Sequence, residues 1–236
     1  NFVIDICKCK KTWSMDIFKN EIIKKIKEKV GNDRVLCGLS GGVDSTVTAV
    51  LVHQAIGDKL QCVFVDTGLM RMNEVEDIKK LFTQNFNIQL DVVDATKIFF
   101  SKLKGLKDPE QKRKTIGRQF IKVFEKYSKA NNDIKFLAQG TLYPDVIESA
   151  SQVGEKKITI KSHHNVGGLP KNMKFCLLEP LKELFKDEVR KLGKELNITD
   201  DFVNRHPFPG PGLGIRILGE INQKNVKILK EADYIF

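Results

Sequence analysis

The amino-acid sequence predicts an α/β fold built on a doubly wound, mostly parallel five-stranded sheet. Three observations carry the prediction. Short apolar runs alternate with amphipathic helical patterns along most of the chain, the order that yields βαβ units. The 236 residues suffice for one large α/β domain, or for one domain and the start of another. A double glycine falls between the first apolar run and the helical pattern after it, at Gly41-Gly42, where such folds turn from strand to helix.

The elements follow in order. Ser14 can cap a helix over Met15–Val30, where Ile22, Ile26 and Val30 repeat at helical spacing. Val35–Leu39 reads as a short buried strand, and Val43–Ile56 as a helix stopped by Gly57. Leu60–Val65 is a second strand with a helix over Glu74–Gln84, and Ile88–Val93 a third. Helical stretches follow near Thr96–Leu103 and Pro109–Tyr127, then a strand at Ile134–Ala138. A last strand is expected over Met173–Leu178 and a helix over Leu184–Leu196. Ser149–Lys174 lacks periodicity and carries three glycines, which suggests a functional loop or lid. His206–Gly212 is a proline-glycine run that cannot be helix and reads as a hinge.

Composition excludes several classes. Hydrophobic residues make up 41% and charged residues 30%, which argues against wholesale disorder. No apolar run reaches the ~18 residues of a membrane span, and Asn1–Met15 shows no signal-peptide pattern. Cys37 and Cys62 lie inside apolar strands, where a thiol is a small hydrophobe. Cys7-Lys8-Cys9 and His163-His164 lack the further ligands of a structural zinc site. Odd cysteine usage fits a reducing, cytoplasmic setting. The net charge of +10 suits a solvated lysine surface or attraction to anions, and by itself does not choose.

The most informative stretch is Ser40-Gly41-Gly42-Val43-Asp44-Ser45-Thr46. Its glycines allow close backbone approach, and the helix N-terminus beyond them offers unpaired N–H groups and partial positive charge to an anion. Ser40, Ser45 and Thr46 add hydroxyl groups. Asp44 either caps that helix or holds Mg²⁺. The spacing is neither a Walker P-loop nor a dinucleotide Gly-x-Gly-x-x-Gly.

Ser-Gly-Gly-Val-Asp-Ser resembles the signature of the PP-loop ATP pyrophosphatases, whose adenine nucleotide alpha hydrolase-like fold holds the pyrophosphate of ATP and releases AMP. The resemblance implies strand order 3-2-1-4-5, ATP between Ser40–Thr46 and Gly140-Thr141, and Val65 flanking the adenosine. Longer stretches narrow it: Phe64–Leu69, Asp108–Gly117, Gln139–Ser149, Lys161–Pro170, Glu179–Arg190 and Arg205–Gly212 resemble the GMP synthetase family nearly end to end.

That resemblance implies adenylation of the 2-oxygen of XMP by ATP, followed by displacement of AMP by ammonia. ATP and Mg²⁺ are the implied cofactors, with Asp44 as metal ligand. Asp44, Asp145, Glu148, Lys161 and Lys186 are the implied catalytic residues, and Arg113, whose planar fork suits a phosphate, contacts XMP. It further implies that residues 1–15 are the junction to an absent glutaminase, supplied as a domain or subunit. Residues 16–204 are the ATP pyrophosphatase domain with a lid near 149–174. Residues 205–236 open a C-terminal dimerisation domain that stops at Phe236, so a homodimer is expected. No nucleic-acid or membrane partner is expected. The rival readings, a tRNA-thiolating PP-loop protein or a nucleic-acid module, would want a catalytic cysteine pair at the ATP site or aromatics interleaved with lysine on one face. Here Cys37 and Cys62 lie within strands and the lysines are scattered.

Overall fold

The computed structural model describes residues 2–9, 13–131, 133–150, 175–206, 208 and 210–236. Within them β1 (Arg34–Leu39), β2 (Leu60–Asp66), β3 (Leu90–Asp94), β4 (Ile134–Ala138) and β5 (Cys176–Leu178) form one sheet in the order β3-β2-β1-β4-β5. Each strand pair is parallel, in register from Val35 opposite Leu60 to Leu39 opposite Phe64 across β1 and β2. The expected order is the observed one.

Alternate residues of each strand face opposite sides, and both sides are apolar, as a parallel sheet requires. Val35, Cys37, Leu39, Cys62, Phe64 and Phe136 join one core with α1 (Met15–Val30), α2 (Val43–Ile56), α3 (Glu74–Lys80) and α7 (Lys186–Glu195). Leu36, Val63 and Leu137 face the other way, against Phe124 of α5 (Pro109–Ala130). Gly38 leaves room for that ring, since a β-carbon there would lie 3.1 Å from Phe124 Cε2. Val65 packs with Phe99 and Leu103 of α4 (Thr96–Leu103) on the same side. The helix α2 is buried on almost every side, which accounts for its near-continuous apolar composition.

Several boundaries differ from the sequence reading, most by a residue or a few. The helix expected over 74–84 is α-helical only to Lys80, then widens into a π-type turn over Leu81–Asn85. The third strand starts at Leu90, because the Ile88 N–H is spent on the Phe82 carbonyl at 2.8 Å, closing the preceding turn. The fifth strand pairs with β4 over Cys176–Leu178 alone. The helix expected from Leu184 begins at Lys186, because the Leu184 carbonyl instead accepts the Tyr143 N–H of α6 (Tyr143–Ala150) at 3.0 Å.

The chain after the proline-glycine run is laid on the second face. Leu213 N–H donates to the Leu69 carbonyl at 2.7 Å, and Gly105 N–H to Glu220 Oε1 at 2.7 Å. Ile217, Ile221 and Val226 bury against Leu69 and Ile116. Gly212 is required here: its φ is +64° and a β-carbon would meet Leu69 O at 2.4 Å. The helix α9 (Gln223–Ile235) follows, with Asp233 paired to both Arg71 and Arg216. Among the described residues no helix is long and apolar enough to cross a membrane.

Candidate functional site

Strands β2 and β3 lie on one side of β1, and β4 and β5 on the other. The crossover through α2 covers one face and the return through α5 the opposite face. The loops after β1 and β4 therefore part at their C-terminal ends and leave a crevice there. They also touch. A β-carbon on Gly140 would lie 3.0 Å from the backbone carbon and oxygen of Asp44, so only glycine fits without displacement.

The loop after β1 is organised by its serines. Ser45 Oγ accepts the Ser40 N–H at 3.2 Å, lies 3.1 Å from Ser40 Oγ, and donates to the Gly42 carbonyl at 3.0 Å. Thr46 is buried, and its hydroxyl donates to the same carbonyl at 3.0 Å; it shapes the turn. The first intrahelical bond of α2 is Thr46 N–H to Gly42 O, so the amides of Val43, Asp44 and Ser45 precede the helix ladder.

Among the described residues three helix N-termini meet at this crevice, and their capping separates them. In α6, Asp145 at the third position accepts the Leu142 N–H at 2.9 Å. In α7, Glu188 accepts the Phe185 N–H at 2.8 Å. The N-cap of α2 is Gly42, with no side-chain cap at all. Two ends have an N–H taken up by one of their own carboxylates, while among the described residues no side chain caps α2, whose positive pole suits an anion.

Asp44 is not the cap of α2. Its carboxylate receives both hydrogen bonds of Lys186 Nζ, each 2.7 Å, across the crevice. The fold brings Lys186 to Asp44 because α7 starts beside the first turn of α2. Thr141 Oγ1 donates to Glu179 Oε1 at 2.7 Å, joining the β4 loop to the end of β5. Val65 is buried in β2, so it flanks the crevice through its backbone. Asp145 and Glu148 do share a helix, with Glu148 exposed.

Arg113 stands apart, on the first turns of α5 beyond the opposite face. It forks onto Glu110 through Nε at 2.7 Å and Nη2 at 2.6 Å, and these bonds pull the Glu110 carboxyl down to about 2. Lys161, the His163-His164 pair and the lid residues 151–174 lie outside the described residues.

Sequence reasoning missed Glu74, Arg205 and Lys112. Glu74 looked like an ordinary first-turn acid but is buried. Arg205 precedes the proline-glycine run and reaches back to the Gly41 carbonyl at 3.4 Å. Lys112 sits in the basic run Lys112-Arg113-Lys114. It is fully buried, donates to the Ile217 carbonyl at 2.6 Å, and burial lowers its pKa.

The donor set bears on what could bind. Among the described residues no three His, Cys, Asp or Glu side chains cluster as a metal cage. The Asp44 carboxylate, beside the N-terminus of α2, suits Mg²⁺ carried by phosphate oxygens, the ion's usual mode.

Residues 17–136 match the NAD synthase family model. The GMP synthase [glutamine-hydrolyzing] of Bartonella bacilliformis is 59% identical over the whole chain, and that of Carboxydothermus hydrogenoformans 57%. The chain covers 45% and 46% of those proteins, so it spans about half the length of the curated relatives it matches. The NH3-dependent NAD synthetase of Campylobacter jejuni superposes with a TM-score of 0.60 at 16% identity, with 93% of each chain covered. A U34-tRNA thiolase from Methanococcus maripaludis gives 0.56 at 20% identity, covering 94% of this chain and 75% of that one. At such identities these two structures speak to the fold alone.

Proposed function

The chain belongs to the NAD synthase family, and from that membership we propose that it is the ATP-cleaving core of a GMP synthase. It adenylates the 2-oxygen of XMP, and ammonia then displaces AMP to leave GMP. The observation that carries the choice of substrate is the 59% identity to a GMP synthase across all 236 residues. The name of that relative supports ammonia delivered by a glutaminase unit. The proposal extends to a cytoplasmic enzyme that assembles as a homodimer.

The chemistry follows from the residues in the crevice. The open N-terminus of α2 and the hydroxyls of Ser40 and Ser45 hold the pyrophosphate of ATP, with Gly41, Gly42 and Gly140 giving its oxygens backbone-close access. Thr141 and the Val65 backbone border the nucleotide. Lys186 brings a cation to the charge that grows on the leaving pyrophosphate, preorganised by Asp44. Asp44 is the residue that would hold Mg²⁺, which when bound neutralises the same leaving group. Asp145, Glu148 and Lys161 serve the reacting end, Asp145 while keeping the β4 loop on α6. Arg113 exchanges Glu110 for the XMP phosphate, since both present the paired oxygens its fork requires.

No serine acts as nucleophile. The Ser45 proton is engaged on the Gly42 carbonyl, and attack comes from XMP itself. AMP release from ATP with Mg²⁺ and ammonium tests the reading. Release should depend on XMP and match GMP formed; release driven by deamido-NAD instead would assign the chain to NAD synthesis.

A further inference from the structure

Glu74 opens α3 and is only 2% exposed, yet the function above leaves it without a part. Its Oε2 accepts the Arg71 N–H at 3.0 Å. Its Oε1 lies 3.5 Å from Arg205 Nη1, the same nitrogen that donates to the Gly41 carbonyl at 3.4 Å. Arg205 is itself held in place, its guanidinium 4.8 Å over the Phe202 ring and its Nη2 3.6 Å from Asp77. The carbonyl of Gly41 is thus gripped from outside the phosphate loop.

A trans peptide group points its C=O and N–H in opposite directions. On the Gly41–Gly42 peptide the N–H is directed at Ser40 Oγ, 3.4 Å away, inside the loop. Neither flanking residue has a side chain to resist rotation of that plane, and Gly41 already sits at φ +78°. A half-turn would swing the carbonyl oxygen inward and present a negative pole to an anion. The grip on Gly41 O opposes this rotation. Glu74 also leaves room only for glycine here, because a β-carbon on Gly41 would stand 2.5 Å from Glu74 Oε1.

We infer that Glu74 and Arg205 are positioning residues that lock the Gly41–Gly42 peptide with its N–H toward the β,γ-phosphates of ATP. The inference rests on the loop being the ATP site and is independent of the second substrate. Its signature is selectivity along the nucleotide: AMP lacks the phosphates that this peptide faces.

The test is calorimetric titration of ATP-Mg²⁺ and of AMP into the intact protein and its Arg205→Met, Arg205→Lys and Glu74→Gln variants. Arg205→Met should weaken ATP about tenfold, the scale of one charge-assisted hydrogen bond, with AMP affinity unchanged. Arg205→Lys should recover part of the loss, and Glu74→Gln should fall between. Equal losses for ATP and AMP, or no loss for ATP, overturn the inference. If Arg205→Met fails to fold, Arg205→Lys carries the same comparison through its ATP-to-AMP ratio. GMP formation by the unaltered protein is measured alongside: ATP binding without GMP formation sinks the proposed function and leaves this comparison standing.

Discussion

Replacing Gly140 by alanine probes the contact between the two loops that make the crevice. The added methyl would sit 3.0 Å from three atoms of Asp44, two of them backbone in the first turn of α2. Ordinary contact begins at 3.4 Å, and a backbone atom cannot swing aside as a side-chain tip does. The β4 loop must therefore retreat by a few tenths of an ångström. Overpacking of this kind costs about 1–3 kcal/mol. In a domain of this size each kcal/mol moves the melting midpoint by roughly 2–4 °C, so a fall of about 2–12 °C is expected. The functional loss should be larger in proportion, because the same shift parts Gly140-Thr141 from Asp44 and Lys186; small misplacements of positioning groups cost up to ~10²-fold. Thermal melts by circular dichroism and XMP-dependent AMP release measure the two effects. An alanine variant with the original midpoint and turnover would show that the loops do not meet as described.

Three further outcomes are expected. Asp44→Ala should leave the melting midpoint nearly unchanged, since Asp44 caps nothing and its partly exposed pair with Lys186 is worth no more than ~1 kcal/mol. Pyrophosphate release should nonetheless drop about 10²-fold or more, and a variant that melts early but turns over normally would contradict the assignment. Gly41→Ala should cost about 1–2 kcal/mol of stability from its left-handed φ alone, more once Glu74 is displaced, which urea unfolding will measure; an unchanged midpoint would count against the loop geometry. Lys112→Met tests the buried ammonium. Burial holds the Lys112 pKa below the ordinary 10.5, so between its folded value and 10.5 the unfolded chain binds more protons there. Wild-type stability relative to Lys112→Met should therefore rise with pH as 10.5 is approached, and a flat or falling difference would refute it.

Alternation of apolar runs with helical patterns made the strands and their flanking helices legible, because both periods are local. Strand order was not local, and came from the resemblance of the Ser40–Ser45 loop and the longer motifs to a family. The loop after β1 could be read from its glycines, but the bond between Asp44 and Lys186 joins residues 142 positions apart and no spacing announces it. Glu74 and Lys112 were opaque for the same reason. A first-turn glutamate and a lysine between Gln111 and Arg113 look solvated until the fold buries them. The proline-glycine run shows another limit of local reading. Its residues exclude helix, which suggested a hinge, yet Gly212 is where the chain presses against Leu69 O, and close approach demands the same residue as a flexible joint.

The central claim, attack of the XMP 2-oxygen on the α-phosphorus of ATP at this crevice, has a direct isotopic test. XMP carrying oxygen-18 at the 2-position is incubated with ATP, Mg²⁺ and ammonium, and the products are resolved by mass spectrometry. The account predicts that the label leaves with AMP, one heavy oxygen per phosphate, while GMP and pyrophosphate carry none. Label released as water, with unlabelled AMP, would contradict adenylation of XMP and with it the function assigned to the site.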